Sequence, residues 1–199
     1  MITKQQIKEI RMLHQKKFRT AAQKFFIEGE KMWEECREFA PHLVETVFVT
    51  KNVDQALFKG FATEEIEERQ MRQLSALKTP TNVFALLHMP RTPQPLPDVN
   101  NLNLILDDVQ DPGNLGTMIR LAAWYGVRNI FASPQTADCY NPKVVQASMG
   151  AVFPVDVFYT DLQELIAPNK HLPVYGATME GQNIYTTPIK NGFLVLGNE

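Results

Sequence analysis

Residues 106–120 read LDDVQDPGNLGTMIR, and this stretch decides the fold. It leaves an apolar run that begins at Leu102, passes through an Asp-Pro-Gly turn and enters a helical pattern that continues to Tyr125. A turn rich in Gly and Asn between a strand and a helix N-terminus is a place where open α/β sheets bind their ligands. The stretch therefore predicts an α/β fold with a binding site at this turn.

The helix after the turn is apolar nearly all the way round, which is typical of a buried helix, yet it carries Arg120. Arginine keeps its charge in proteins, and an unpaired buried charge is costly. We therefore expect Arg120 either to face a wet cleft that receives an anionic ligand or to form a structural ion pair with Asp108 or Asp111. Asn114, near the start of the same helix, is either a site residue or a plain helix cap.

A run of prolines divides the chain. Four prolines lie within residues 90–97, and such a segment forms neither a helix nor a central strand. We predict an N-terminal domain over residues 1–90, a proline-rich linker over residues 91–101 and a second domain over residues 102–199.

Both domains are predicted to mix helices and strands. In the first, the patterns alternate as in a small α/β sandwich, and a capping box that begins at Thr63 predicts a helix running to about Leu77. In the second, strands alternate with single helices, which predicts βαβ units and a mostly parallel sheet. The predicted fold class is therefore α/β, with a small N-terminal α/β domain and a mostly parallel second domain.

The composition is that of an ordinary globular protein, with 44% hydrophobic and 21% charged residues, and it excludes a disordered chain. No apolar run has the length that a bilayer span needs, and the polar start carries no secretory signal. We therefore expect a cytoplasmic protein without a membrane partner. The cysteines and histidines show no metal-ligand spacing, so no metal is expected.

Basic residues are concentrated near the N-terminus, although the net charge of the chain is only −2. Residues 1–24 carry seven basic side chains and one acidic one, and the second half of this segment contains Lys16, Lys17, Arg19 and Lys24. Such asymmetry is typical of a segment that meets a polyanion. A solvated helix face gives the same pattern, and the charges alone do not separate the two interpretations.

Three common motifs for phosphate binding or nucleophilic catalysis are missing from the sequence. Gly113 and Gly116 lack the third glycine of the dinucleotide fingerprint, and no Lys-Ser/Thr pair follows them as a P-loop requires. No serine lies in a Gly-x-Ser-x-Gly elbow. A nucleotide-binding hydrolase is therefore disfavoured.

Four segments together resemble one family. Residues 108–120, DVQDPGNLGTMIR, resemble the first signature motif of the SpoU (TrmH) family of RNA ribose 2′-O-methyltransferases. Residues 143–151 resemble the helix that follows in that family, and residues 194–199 resemble the opening of its second motif. Residues 25–31 resemble the N-terminal substrate-binding domain that is often joined to the catalytic part. The resemblance covers nearly the whole chain.

The resemblance implies a SPOUT-type second domain with a deep trefoil knot, S-adenosylmethionine as the methyl donor, RNA as the substrate and a homodimer. By the same resemblance, the active-site residues are Asn114, Arg120 and Glu199. The residues expected to contact the cofactor are Thr178, Gly181, Gly197 and Asn198. The basic residues expected to hold the RNA backbone, through contacts that weaken with salt, are Lys16, Lys17, Arg19 and Lys24.

The sequence departs from the family pattern at its end. It stops at Glu199, inside the second motif, and the third motif does not follow. In the family, that part completes the knot and most of the cofactor pocket. We therefore expect the knot not to be completed in this truncated chain, and we do not expect the polypeptide as it stands to bind the methyl donor well.

The predicted function is transfer of a methyl group from S-adenosylmethionine to a ribose 2′-hydroxyl of structured RNA, with ribosomal RNA favoured over transfer RNA by analogy. Because arginine does not readily give up its proton, we expect Arg120 to stabilise a developing alkoxide rather than to act as a general base. The alternative is a non-catalytic RNA-binding or dimerisation protein on the same scaffold. The missing C-terminal segment favours this alternative, and the intact site residues disfavour it.

Overall fold

The computed structural model describes residues 2–178, 180–183, 185–186 and 189–197. These residues form two sheets flanked by helices, which confirms the predicted α/β class. The helices and strands of the N-terminal half are, in chain order, α1 (Lys4–Met12), α2 (Lys16–Ala22), β1 (Lys24–Glu28), α3 (Glu30–Phe39), β2 (Val44–Val49), β3 (Thr63–Glu65), α4 (Glu68–Leu74) and β4 (Val83–His88).

The N-terminal sheet has the strand order β1-β4-β2-β3, in which β4 is antiparallel to both β1 and β2, and β3 runs parallel to β2. Successive residues of a strand point to opposite faces of the sheet. One face packs under α3 through a cluster that includes Phe25, Ile27 and Trp33. The other face packs against α1 and α4 through a cluster that includes Phe26 and Phe84. Both faces of this sheet are therefore covered.

The predicted helix at Thr63 is wrong, because Thr63–Glu65 forms β3 instead. These residues pair with β2, and the ladder satisfies backbone groups that a helix would otherwise have paired. The helix begins later, and its capping box is formed by Glu67 and Gln70. The Glu67 N–H donates to Gln70 Oε1 over 2.9 Å.

The C-terminal half builds the second sheet. Its helices and strands are, in chain order, β5 (Leu102–Asp107), α5 (Pro112–Trp124), β6 (Asn129–Ala132), α6 (Pro142–Ser148), β7 (Asp156–Tyr159), α7 (Leu162–Ile166), β8 (Val174–Gly176) and β9 (Gly192–Gly197). All its paired strands run parallel, as the alternating pattern predicted. α5 and α6 cover one face through Leu115, Ile119 and Val144, and α7 covers the other through Leu165.

The strand order β7-β6-β5-β9-β8 places β5 at the centre of this sheet. From β5 the chain moves outward through β6 to β7, then crosses back and returns through β8 to β9 on the other side of β5. The winding therefore reverses between β5 and β9, where Asp107 is aligned with Gly197. Open α/β sheets bind ligands outside the carboxyl ends of the strands at such a point.

The two halves of the chain share buried apolar contacts. Val145 and Val152 belong to the C-terminal half but pack into the core cluster on the α3 side of the first sheet. The ring centroids of Phe25 and Tyr140 lie 4.6 Å apart across the same junction. The proline-rich residues 90–97 are in neither a helix nor a strand. The halves are therefore packed directly on each other.

Both cysteines, Cys36 and Cys139, are buried free thiols. Within the described ranges, no helix is long and apolar enough to cross a membrane.

Candidate active site

The turn after β5 is held in place by the loop that follows β6. Asp108 has a left-handed backbone with φ 56°, which costs a residue with a Cβ about 1–2 kcal/mol. Its N–H donates to Ser133 Oγ over 2.8 Å, and the Val109 N–H donates to Thr136 Oγ1 over 3.3 Å. Thr136 Oγ1 in turn donates to Leu106 O over 3.2 Å. These bonds fix the direction in which the chain leaves the sheet and enters α5.

Asp111 is the N-cap of α5. Its Oδ1 accepts the backbone N–H of Asn114 over 2.8 Å, and Pro112 occupies the first helical position. The alternative that Asn114 is a plain helix cap is therefore wrong, because Asp111 makes that contact. Asn114 is exposed at the start of the helix, where its side-chain amide can meet a ligand at the carboxyl edge of the sheet.

Arg120 is exposed and lines a groove of about 450 Å³ between the end of α3 and the second half of α5. Two aromatic side chains, Phe39 and Trp124, and a second cation, Arg128, line the same groove. Glu35 lines the groove as well, and among the described residues it forms no ion pair with Arg120. The arrangement is an open groove with an exposed positive charge, which fits the first of the two environments expected for Arg120.

The alternative expectation, that Arg120 forms a structural ion pair with Asp108 or Asp111, is wrong. Among the residues that the structure describes, Arg120 has no ion-pair partner. A solvated guanidinium keeps its charge and its five donors without a desolvation cost. Arg120 can therefore bind an anion or stabilise a negative charge that develops beside it.

The expectation that the helix of Arg120 is buried holds for only one side of α5. Ile119 and Ala122 are buried in the core of the parallel sheet. On the opposite side, Leu121 and Trp124 are 51% and 84% exposed. The helix is apolar nearly all the way round because it has one face in the core and a second apolar face in solvent.

Asn114 and Arg120 do not meet within one chain. They are six residues apart on α5, which separates them by about 9 Å along the helix axis and roughly 120° around it. Asn114 is at the carboxyl edge of the sheet, whereas Arg120 lies beside Trp124 in the groove. A ligand that contacts both side chains must span this distance or meet them on two different chains.

The candidate cofactor residues follow the ends of neighbouring strands. Gly197 ends β9 beside Asp107 of β5, and Thr178 and Gly181 follow β8. Since these three strands run parallel, the residues share the carboxyl edge of the sheet with the turn at Asp108. A Cβ at Gly197 would meet no described atom closer than Asp107 O, at 3.9 Å. Among the described residues, nothing therefore crowds the position that a side chain at residue 197 would take.

Two predicted site residues, Asn198 and Glu199, lie outside the described residues. In the part of the chain that is described, no group of three or more His, Cys, Asp or Glu side chains could hold a metal ion.

The predicted RNA-binding lysines differ in their surroundings. Lys16 and Lys17 are exposed in the first turn of α2, so their ammonium groups can reach a phosphate. Lys24 is half-buried, and its Nζ lies 2.6 Å from Glu45 Oε2. An RNA phosphate would have to compete with that carboxylate, so Lys24 is a weaker candidate than the other two.

The prediction that Arg19 binds RNA is wrong. Arg19 is buried, and its Nη2 lies 2.5 Å from Asp138 Oδ2. The two residues are 119 positions apart in the sequence. Spacing along the chain therefore gave no sign that Arg19 is neutralised inside the protein.

The buried thiol of Cys139 and the partly exposed phenols of Tyr140 and Tyr159 stay protonated at neutral pH. Burial raises the pKa of Cys139 to about 12 and also raises the pKa values of Tyr140 and Tyr159. Tyr159 Oη accepts the Cys139 N–H over 2.7 Å and donates to Ala137 O over 2.5 Å. These neutral groups order the loop that follows β6.

Sequence reasoning missed two features of the site. It did not identify Ser133 and Thr136, whose hydroxyls hold the turn, because ordinary serines and threonines in a loop carry no distinctive pattern. It also missed the exposed stripe of α5. The signal was present, because Thr117, Leu121 and Trp124 follow one another at spacings of four and three residues and share a helix face.

Comparison with known proteins identifies the family. The SpoU rRNA Methylase family matches residues 101–199, and the MRM3-like substrate binding domain matches residues 4–85. The chain is 32% identical over 190 residues to the 23S rRNA (guanosine(2553)-2′-O)-methyltransferase RlmP of Bacillus subtilis, covering 94% of this chain and 72% of that protein. It is 28% identical over 180 residues to rRNA methyltransferase 3, mitochondrial, of Xenopus laevis, covering 83% of this chain and 42% of that protein.

Solved structures agree with the sequence relatives. A TrmH-family protein from Porphyromonas gingivalis has a TM-score of 0.85 and 34% identity, over 99% of this chain and 81% of that one. The AdoMet-bound rRNA methyltransferase from Sinorhizobium meliloti has a TM-score of 0.83 and 27% identity, over 100% of this chain and 80% of that one. The resemblance seen in residues 108–120 is therefore confirmed. The chain belongs to the SpoU (TrmH) family of RNA 2′-O-methyltransferases, enzymes whose methyl donor is S-adenosylmethionine.

Proposed function

We propose that this protein methylates a ribose 2′-hydroxyl of ribosomal RNA. The names of the relatives from Bacillus subtilis and Xenopus laevis support ribosomal RNA over transfer RNA. The observation that carries the proposal is the position of Arg120. It is an exposed guanidinium without an ion-pair partner among the described residues, on the helix that starts at the family motif, and it lines an open groove.

Arg120 acts on the 2′-oxygen. S-adenosylmethionine supplies a methyl group that its sulfonium has already activated. As the 2′-oxygen attacks, its proton would pass to solvent water in the open groove. The Arg120 guanidinium donates hydrogen bonds to the negative charge that develops on the oxygen. Arg120 does not accept the proton, because arginine keeps its charge in proteins.

Asn114 and the strand ends hold the reactants. Asn114 orients the ribose or the cofactor from the carboxyl edge of the sheet, where its exposed amide can both donate and accept. Thr178, Gly181 and Gly197 lie at the same edge and bind the cofactor. Family resemblance assigns Asn198 to the cofactor and Glu199 to the active site.

We also propose that the protein is a homodimer that associates through the exposed face of α5. This face carries Leu121, Trp124 and Tyr125, which are 51%, 84% and 77% exposed. The helix contains Arg120 as its sole charged residue. Aromatic residues and arginine are enriched at protein interfaces, whereas lysine and acidic residues are depleted. A second copy would also bring an Asn114 towards an Arg120, which one chain keeps apart.

The N-terminal half binds the RNA backbone through Lys16 and Lys17. Both are exposed on α2, and phosphate contacts of this kind give affinity without sequence specificity. Loops with unstacked nucleotides are the expected targets, because they expose the ribose.

We place the protein in the cytoplasm, a proposal supported by its two buried free thiols.

Methyl transfer to defined RNAs tests this function. Full-length protein, transcribed 23S rRNA and tritiated S-adenosylmethionine are mixed, and acid-stable tritium in the RNA is counted. We expect Arg120→Ala to lower the rate by about 10² to 10³, the usual loss of one such donor. Titration calorimetry should give a cofactor affinity within twofold of the wild type. Arg72→Ala, at an exposed arginine of α4, is the matched control and keeps full activity.

Three other outcomes would each contradict a part of the proposed function. Near-normal turnover by Arg120→Ala removes Arg120 from the mechanism. Methylation of a transfer RNA transcript in preference to 23S rRNA contradicts the substrate assignment. RNA binding without methyl transfer by the wild type supports the non-catalytic alternative instead.

A further inference from the structure

A buried ion pair joins the two halves of the chain at the junction. Arg19 of α2 and Asp138 of the loop after β6 have side chains that are 2% and 13% exposed. Arg19 Nη2 and Nε both donate to Asp138 Oδ2, over 2.5 Å and 3.2 Å. A guanidinium that bonds one oxygen through two nitrogens has a defined orientation, so the contact fixes an angle as well as a distance.

The Asp138 side of the pair leads to the active-site turn. Asp138 belongs to the same loop as Ser133 and Thr136, whose hydroxyls accept the N–H groups of Asp108 and Val109. Asp138 Oδ1 also accepts a backbone N–H within the loop. A displacement of Asp138 is therefore transmitted over a few bonds to the turn from which α5 starts.

The Arg19 side leads to the proposed RNA surface. Arg19 Nη1 donates to Leu13 O, at the end of α1, over 2.8 Å. Arg19 is three residues after Lys16 and two after Lys17 on α2. The Lys16 Nζ also lies 5.8 Å from the centre of the Tyr159 ring, on the C-terminal half. The lysines that face solvent are therefore within one helical turn of the residue that ties α2 to the catalytic half.

We propose that Arg19 and Asp138 are positioning residues, which hold the basic surface of α2 at a fixed orientation to the turn at Asp108. Apolar contacts such as those of Val145 and Val152 favour association of the halves but are not directional. The ion pair is a directional contact, and it therefore fixes the orientation of one half relative to the other. This inference rests on the proposed function, since it concerns how bound RNA is aligned with Arg120.

Two variants separate positioning from stability. Asp138→Asn removes the carboxylate charge and leaves the buried Arg19 guanidinium with only a neutral amide oxygen as its acceptor. Arg19→Met combined with Asp138→Asn removes both charges, which restores much of the stability because a buried pair can be replaced by neutral groups at little cost. Asp156→Asn is the matched control, because Asp156 lies in the same junction groove but does not bind Arg19.

The first readout is amide hydrogen exchange, which needs no activity. We expect exchange at the Asp108 and Val109 N–H groups to be at least tenfold faster in both ion-pair variants and unchanged in Asp156→Asn. Unchanged exchange in the double variant overturns the proposal, whether or not the wild type proves to be a methyltransferase.

The second readout is methyl transfer to 23S rRNA. We expect kcat to fall at least tenfold in the double variant while the cofactor Kd stays within twofold. Asp138→Glu keeps the carboxylate, so its kcat should lie between that of Asp138→Asn and that of the wild type. If the double variant regains both wild-type melting temperature and wild-type kcat, the pair is only structural and the proposal fails. If the wild type itself transfers no methyl group, the proposed function fails and the exchange measurement alone decides the role of the pair.

Discussion

Gly116 of α5 lies directly against Ala147 of α6. A Cβ on Gly116 would stand 2.5 Å from the Ala147 Cβ and 2.7 Å from Val144 O. Real Cβ atoms do not approach so closely, so the two helices can touch here only because residue 116 has no side chain. The glycine of the family motif therefore sets the distance between α5 and α6.

Gly116→Val should destabilise the protein. The added atoms must push α6 away from α5, and such overpacking costs about 1–3 kcal/mol of unfolding free energy. Urea unfolding followed by circular dichroism measures the change. Gly176→Ala is the control, because a Cβ there meets nothing within 4 Å, and it should stay within about 0.5 kcal/mol of the wild type. Equal effects of the two substitutions would contradict the close-contact explanation.

Leu121→Ser combined with Trp124→Ser should convert the proposed dimer to a monomer. Both side chains are largely exposed in the single chain, so their loss does not disturb its core. Size-exclusion chromatography with light scattering should show at least a tenfold rise in the dimer Kd, with an unchanged melting temperature at low protein concentration. Tyr185→Ser, at a 95% exposed site outside α5, should leave the dimer intact. A wild-type protein that is monomeric at all concentrations contradicts the homodimer.

Lys16→Gln combined with Lys17→Gln should weaken RNA binding and its salt dependence. Each lost phosphate contact lowers the slope of log affinity against log salt by about one unit, so the pair lowers it by about two. Filter binding of transcribed 23S rRNA at several salt concentrations measures the slope. Lys59→Gln, at an exposed lysine outside α2, should leave it unchanged. An unaltered slope in the double variant places the RNA elsewhere.

Cys36 and Cys139 should resist alkylation in the folded protein. Burial raises the pKa of each thiol to about 12. Since only the thiolate reacts, at pH 8 about one thiol in ten thousand is ionised. Mass spectrometry after treatment with iodoacetamide should find no adduct on native protein and two adducts after unfolding in urea. Rapid labelling of either residue in the native state shows that its surroundings open to solvent.

Local patterns along the chain were enough to predict much of the second half. The alternation of strands and helices indicated a parallel sheet, and the turn at Asp111 could be recognised from its residue types. Helix α6, which the resemblance of residues 143–151 indicated, also starts with local signals, because Asn141 is its N-cap and Pro142 its first residue. In each case the decisive interactions are between residues close in sequence.

The failures arose where a distant partner decides the outcome. Thr63 looked like a helix cap, but its segment pairs with β2. Arg19 looked like a surface cation, but Asp138 neutralises it. The exposure of Trp124 was missed because hydrophobicity does not distinguish a face that packs in the core from one that is left for a partner. Sequence periodicity alone contains none of these long-range contacts.

The position of β9 has a consequence for synthesis of the protein. This strand lies between β5 and β8, although both precede it in the chain. While the polypeptide emerges from the ribosome, β5 has an unfilled edge until residues 192–197 are released, and β8 has no neighbour to pair with. An open strand edge in a nascent chain invites wrong pairing with other chains. Correct assembly of this half must therefore wait until translation has passed Gly197.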